Sequence, residues 1–247
     1  MFAIVEKQQD DVIKGICPVM QDLRIKTIPI IDCKEELVDI HKMNHKNIRM
    51  LPTPALPFSG PNTNAGFECS SLIRKGLWQR LEAMSNNLRL LHPESSISIL
   101  IFEGLRDCQT QAKLFDLTVQ QLSENSPEGK STSEIQKQAE KFITPPNEMP
   151  PHATGGCVAL RLFNDDKNEF LDMGKFGYLW FPENKNDESN TFSANLTKEQ
   201  IQNRLLLLNV ATMAGLVNYP YEWWHFSFGD RYFCYYTKNK TAIYSSV

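Results

Sequence analysis

The chain has 247 residues, a hydrophobic content of 41% and a formal net charge of −3. This size suits a single domain over residues 1–247, and the slightly acidic balance gives no basic footprint for nucleic acid. The sequence has no apolar run near the ~20 residues of a membrane span, and it lacks the pattern of a secretory signal. Six cysteines without CxxC pairs are typical of buried free thiols in a reducing compartment. We therefore expect a cytoplasmic protein, with secretion without a leader as the open alternative.

The first half of the chain shows an irregular segment followed by alternating helix and strand patterns. Residues 1–66 contain short β-like runs such as "LRIKTIPII" and a proline-rich stretch at 50–63. Apolar residues from Leu72 to Met84 recur at helical spacing, "SISILIFEGL" alternates as a strand does, and "QTQAKLFDLTVQQL" is helical again. The polar stretch 124–150 predicts a surface excursion with one helix. It and the 50–63 stretch are either lids or partner surfaces, or ordinary solvated loops.

The second half predicts the sheet that carries the candidate site. "GCVALRLF" is a strand, and "FLDMGKFGYLWF" either pairs back onto it or forms a loop. The clearest helix follows, with Thr197 and Gln200 spaced as in a capping box. "EWWHFSF" and "RYFCYY" are interpreted as two aromatic strands around a "GD" turn. These elements predict an α+β fold with a mainly antiparallel central sheet flanked by helices.

Two histidines and a glutamate form the first candidate constellation. His152 precedes a strand, His225 lies within a later one, and two such imidazoles could supply two of the three protein ligands of a hydrolytic zinc ion. Glu222 could act as a general base, but its offset of three residues from His225 places them on opposite faces of a regular strand. A bulge or a strand-end turn would bring both inward. Taken alone, a histidine in an aromatic strand is more often packed or hydrogen-bonded in the core than a metal ligand.

Several segments taken in order carry a resemblance to a known family. They are "EGLRDCQTQAKLF", "PHATGGCVALRLF", "FLDMGKFG", "QNRLLLLNVATMAG" and "EWWHFSFGD". Together they resemble the VanX-type D-alanyl-D-alanine dipeptidases, which belong to the same zinc peptidase group as the VanY-type carboxypeptidases. The resemblance covers residues 68–236 as a dipeptidase-like core and leaves 1–66 as a divergent N-terminal segment. It implies the D-Ala-D-Ala metallopeptidase fold, a link to peptidoglycan chemistry and a small D-amino-acid dipeptide as substrate.

The resemblance also implies a role for each matching residue. His152 and His225 correspond to the zinc ligands and Glu222 to the catalytic base. Arg106 corresponds to an arginine that stabilises the developing oxyanion, a role that suits a fixed guanidinium in a dry site. Trp223 and Trp224 would point to opposite sides of their strand, one as the wall of a small apolar substrate pocket and the other in the core.

One position departs from the family pattern. The family's third zinc ligand is an aspartate seven residues after the first histidine, where this chain has Ala159. Arg161 shares that strand face and would repel the ion. Zinc would therefore be weakly bound or absent unless the ligand set is completed in another way. Candidates are the Cys157 thiolate, about 6.7 Å along the strand, a folded-back Asp165 or Asp166, and a substrate carboxylate.

Two functions remain open from the sequence. The intact Arg106, His152, Glu222 and His225 favour an active zinc dipeptidase that hydrolyses D-alanyl-D-alanine or a similar peptide. Ala159 and Arg161 favour a catalytically inactive relative that binds a peptidoglycan-type peptide or a protein partner.

Overall fold

The computed structural model describes residues 2–51, 71–94, 96–124, 130–141, 143–175 and 188–247. Helices and strands mix along the chain, and they pack around a six-stranded sheet. Among the described strands of this sheet, one neighbouring pair is parallel and the others are antiparallel. The predicted α+β class with a mainly antiparallel sheet is confirmed. The helices are α1 Phe2–Ile13, α2 Leu23–Lys26, α3 Lys75–Leu91, α4 Cys108–Glu124, α5 Thr132–Ala139, α6 Lys198–Met213 and α7 Arg231–Thr237.

The strands are β1 Leu37–Asp39, β2 Ile48–Met50, β3 Leu72–Arg74, β4 Ile97–Glu103, β5 Cys157–Asn164, β6 Glu169–Phe170, β7 Val217–Tyr219 and β8 Glu222–Ser227. The main sheet has the strand order β2-β4-β5-β8-β7, with β6 also paired to β5. A separate two-stranded sheet joins β1 to β3. β6 shows that the start of "FLDMGKFGYLWF" pairs back onto β5, and the remainder of that run, at 176–181, lies outside the described residues.

The register of the three central strands positions the candidate site. In the middle of β5, Ala159 pairs with His225 of β8 on one side and with Glu103 of β4 on the other. The β4–β5 register shifts between Ile101 and Glu103, so the end of β4 is irregular where it meets this row. Two buried polar residues therefore flank a methyl group at the centre of the sheet.

Helix α6 begins with the predicted capping box. The Thr197 hydroxyl accepts from the Gln200 amide at 3.2 Å, and the Gln200 side chain accepts from the Thr197 amide at 3.0 Å. This reciprocal bonding satisfies two of the amide groups that a helix start otherwise leaves without partners.

Arg204 of α6 fastens this helix to the chain on both sides of residues 176–187. Its guanidinium is fully buried and donates to the carbonyl oxygens of Met173 (2.7 Å), Asn190 (2.6 Å) and Glu188 (2.7 Å). Burial lowers the pKa of Arg204 to about 10, so the side chain is still charged at neutral pH.

We expect Arg204→Met to lower the free energy of unfolding by about 3 kcal/mol or more, because three buried carbonyls lose charged donors. Urea denaturation of both proteins measures the difference. Arg89→Met, on the exposed face of α3, is the matched control. A loss below about 1 kcal/mol would show that the carbonyls find other donors.

Two predictions about local structure were wrong. "RYFCYY" forms helix α7 and not a strand: Asp230 caps the helix by accepting from the Phe233 amide at 2.8 Å, and Tyr232 and Tyr236, four residues apart, bury one face. The first residues are not irregular, because α1 begins at Phe2. Likewise, "LRIKTIPII" contains the short helix α2 and a single bridge from Ile30 to Ala242.

The surface excursion at 124–150 contains helix α5, as predicted. Most of the proline-rich stretch at 50–63 lies outside the described residues. Among the helices that the structure describes, none combines the length and the apolar character that crossing a membrane requires.

Candidate active site

His152 is held by a short turn that precedes β5. It lies in a 3-10 helix at Pro151–Thr154, which ends at Gly155 with φ of 68°. A Cβ at the next residue, Gly156, would approach the Phe228 carbonyl oxygen to 2.7 Å, so the turn needs glycine there too. The buried Nδ1 of His152 lies 2.7 Å from the Gly104 carbonyl oxygen, to which it donates. The lone pair of the neutral ring therefore lies on Nε2.

The second histidine meets the first across the site. The rings of His152 and His225 are perpendicular, with centroids 4.9 Å apart. The Nε2 atoms of both rings are buried and have no hydrogen-bond partner. Cys157, the first residue of β5, completes a group in which one ligand atom of each residue lies within 4.8 Å of the others. This set fits a metal ion, because buried acceptor atoms without donors are costly unless a cation joins them.

Both imidazoles are neutral at physiological pH, as metal ligation requires. Burial lowers the pKa of His152 to about 4, although the Glu103 carboxylate acts in the opposite direction. Burial also holds the pKa of His225 far below its usual value, and the electrostatic interactions with His152 and Arg106 lower this pKa further. Burial raises the pKa of the Cys157 thiol well above its ordinary range.

Glu222 faces His225 in spite of their offset. The register of β7 and β8 shifts between Asn218 and Tyr219, and Tyr219 pairs with Glu222 at the start of β8. At this irregular strand end a carboxylate oxygen of Glu222 lies 3.6 Å from Nδ1 of His225. The sequence left open whether such a distortion exists, and the structure contains one.

Arg106 follows β4 and enters the same cavity. Its Nε and Nη2 donate to the two carboxylate oxygens of Glu103, and Nη1 donates to the Gln111 side chain at 2.9 Å. Burial opposes ionisation of Glu103, but the guanidinium outweighs it and keeps the pKa of this carboxyl below its usual value. The fork-to-fork pair fixes the plane of the guanidinium.

The candidate residues line one cavity, which polar and aromatic side chains surround. Sequence reasoning did not identify Glu103, Gln111 or Tyr219 as residues of the site. Glu103 lies at the end of a strand and Gln111 in the first turn of a helix, and both are within five residues of Arg106, which would have signalled them. The lining residues are Met20, Arg106, Gln111, Thr144, Pro150, Pro151, His152, Tyr219, Glu222 and His225.

One of the two indoles, Trp223 or Trp224, was expected to form a wall of the substrate pocket, and the structure places both in the core. Both indoles are 1% exposed and pack in the hydrophobic core, edge to face with a centroid distance of 5.4 Å. The Trp223 indole donates to the Lys175 carbonyl at 2.9 Å. The described residues that line the cavity do not include either indole.

Two further expectations about charges near position 159 were wrong. The Arg161 guanidinium lies over the rings of Phe170 (4.3 Å) and Trp223 (5.7 Å), so aromatic faces and not the metal site receive its charge. Asp165 accepts from Ser98 and Arg49 at the far end of β5 and cannot fold back. Asp166, beside it, is exposed.

Comparisons with known proteins show the family of the chain. The sequence pattern of the peptidase M15 family, described as D-Ala-D-Ala dipeptidase, matches residues 77–243. The chain is 29% identical over 222 residues to a D-alanyl-D-alanine dipeptidase of Synechocystis sp. (strain ATCC 27184 / PCC 6803 / Kazusa), covering 83% of this chain and 86% of the relative.

A solved structure of the LdcB LD-carboxypeptidase also shares features with the chain. The TM-score is 0.36 and the identity 16%, over 66% of this chain and 61% of the other. The family match, in contrast, spans more than half of the chain and includes every residue placed in the cavity except Met20. The chain belongs to the peptidase M15 family of D-Ala-D-Ala dipeptidases.

Proposed function

We propose that this protein is a zinc-dependent dipeptidase that hydrolyses D-alanyl-D-alanine or a closely similar dipeptide. The observation that carries the proposal is that Arg106, His152, Glu222 and His225, which come from three separate segments of the chain, line one buried cavity. Family membership supports peptidase chemistry, and the name of the Synechocystis relative supports this substrate class.

His152 and His225 would hold the zinc ion through their Nε2 atoms. When bound, the ion supplies Lewis-acid chemistry, because it polarises a carbonyl and makes water more acidic. The hydrogen bond from His152 Nδ1 to the Gly104 carbonyl fixes the ring and its tautomer, which keeps the lone pair aimed at the ion.

Glu222 would act as general base and then as general acid. Its carboxylate is 1% exposed and lies beside His225, so it can accept a proton from water at the site and pass it to the leaving amine. Arg106 would stabilise the negative charge that develops on the carbonyl oxygen. The ion pair with Glu103 holds the guanidinium in place, so little reorganisation is needed when that charge forms.

The polar lining of the cavity suits a short substrate with charged ends. Arg106 and Gln111 carry donors for a carboxylate, and Glu222 carries acceptors for an ammonium group.

The test is D-alanine release from D-alanyl-D-alanine by protein purified without a metal-binding tag and loaded with zinc. We expect turnover that chelation abolishes and zinc restores, with little activity on L-alanyl-L-alanine. If protein with one bound zinc per chain shows no turnover on either dipeptide, the inactive peptide-binding relative suggested by Ala159 is the better description.

A further inference from the structure

We propose that the Cys157 thiolate is the third protein ligand of the metal ion, in place of the absent aspartate at position 159. The site would then be a two-histidine, one-cysteine site. This inference rests on the proposed function, in that the ion is the one that the peptidase needs, and it names the ligand that the family pattern does not supply.

The backbone brings Cys157 to the site. Gly155, with φ of 68°, ends the 3-10 helix that holds His152, and Cys157 begins β5 two residues later. Cys157 and Ala159 lie on the same face of β5, and Ala159 pairs directly with His225. Cys157 is therefore flanked by both histidines, and its sulfur is within 4.8 Å of their ligand atoms.

Neither of the two nearby carboxylates, Glu103 and Glu222, is placed to complete this ligand group. Both oxygens of Glu103 accept from Arg106, and withdrawing one would leave half of a buried ion pair without its partner. Glu222 lies on the Nδ1 side of His225. Among the described histidine, cysteine and acidic side chains, His152, Cys157 and His225 form the one group of three with metal-ligand spacing.

The chemistry of the group suits zinc. Tetrahedral coordination with Zn–N near 2.0–2.1 Å and Zn–S near 2.3 Å places ligand atoms about 3.3–3.6 Å apart. The observed limit of 4.8 Å therefore closes by about 1 Å, within the reach of small rotations of these side chains. On binding, the Sγ–metal bond forms, the S–H bond breaks and the proton leaves to solvent. Three ligands leave the fourth position open for substrate or water.

The test is Co²⁺ titration of metal-free protein, followed by absorption spectroscopy, which reports the ligands without any assay of activity. We expect a near-ultraviolet thiolate-to-cobalt charge-transfer band in the wild type. Cys157→Ser should lose this band, and its Co²⁺ affinity should fall by more than about 100-fold, beyond the range seen for outer partners of metal ligands. Cys234→Ser, which changes a second buried cysteine bonded to the Thr241 carbonyl, should keep the band.

Three results would overturn the proposal, and they separate it from the proposed function. Co²⁺ bound by the wild type without a charge-transfer band would show a site of nitrogen and oxygen ligands only, while the peptidase proposal stands. The same band in folded Cys157→Ser protein would place another thiolate on the ion. A wild type that binds no Co²⁺ would contradict both proposals. The first and third of these results are measured on the wild type alone, so they decide the question even if the Cys157→Ser variant fails to fold.

Discussion

Glu222→Gln should lower kcat for D-alanyl-D-alanine by about 10²–10⁴-fold, the range attributed to a positioned general base. The amide has nearly the same shape as the carboxylate but cannot accept a proton from water at neutral pH. Because Glu222 is outside the group of metal-ligand atoms, the zinc content should be unchanged. Steady-state kinetics and metal analysis of the same preparation check the two statements together.

The matched control for Glu222→Gln is Glu169→Gln, the same chemical change on exposed β6. It should leave kcat and zinc content at wild-type values. A Glu222→Gln protein that keeps its activity would remove the general-base role. A protein that loses its zinc together with its activity would show instead that Glu222 helps to hold the ion.

The framework of the site could be predicted from the sequence because its elements carry strong local patterns. β4 is rich in isoleucine, α4 has helical spacing, and α6 has a capping box. That Arg106 and His225 belong to one site was implied by the resemblance of the motifs around them to the dipeptidase family. Short-range periodicity is the most dependable information in a sequence, and here it coincides with the tertiary arrangement.

The errors arise where tertiary packing decides against local preference. The aromatic run 231–236 favours a strand by composition. The Asp230 cap and the burial of Tyr232 and Tyr236, which are four residues apart, make it a helix. The place of Cys157 could not be obtained from distances along one strand, because a ligand atom of His152, which precedes the strand, lies within 4.8 Å of its sulfur. Arg161 was expected to lie beside the metal position and repel the ion, whereas two aromatic rings receive its charge.

Arg106→Met should impair both stability and catalysis, and the two effects can be separated. Removing the guanidinium leaves the Glu103 carboxylate buried without its charged partner, which typically costs about 3–5 kcal/mol in unfolding free energy. Loss of a donor aimed at the developing oxyanion typically lowers kcat by about 10²–10³-fold. Denaturation and steady-state kinetics measure these quantities independently.

The double variant Glu103→Gln with Arg106→Met distinguishes a catalytic arginine from a structural one. Neutralising Glu103 removes the unpaired buried charge, so most of the lost stability should return. The rate should not, because no cation then faces the carbonyl oxygen of the substrate. A double variant that regains the wild-type kcat together with its stability would show that Arg106 serves only to neutralise Glu103. Full stability with kcat still reduced at least about 100-fold is the result that the fixed guanidinium at the end of β4 predicts.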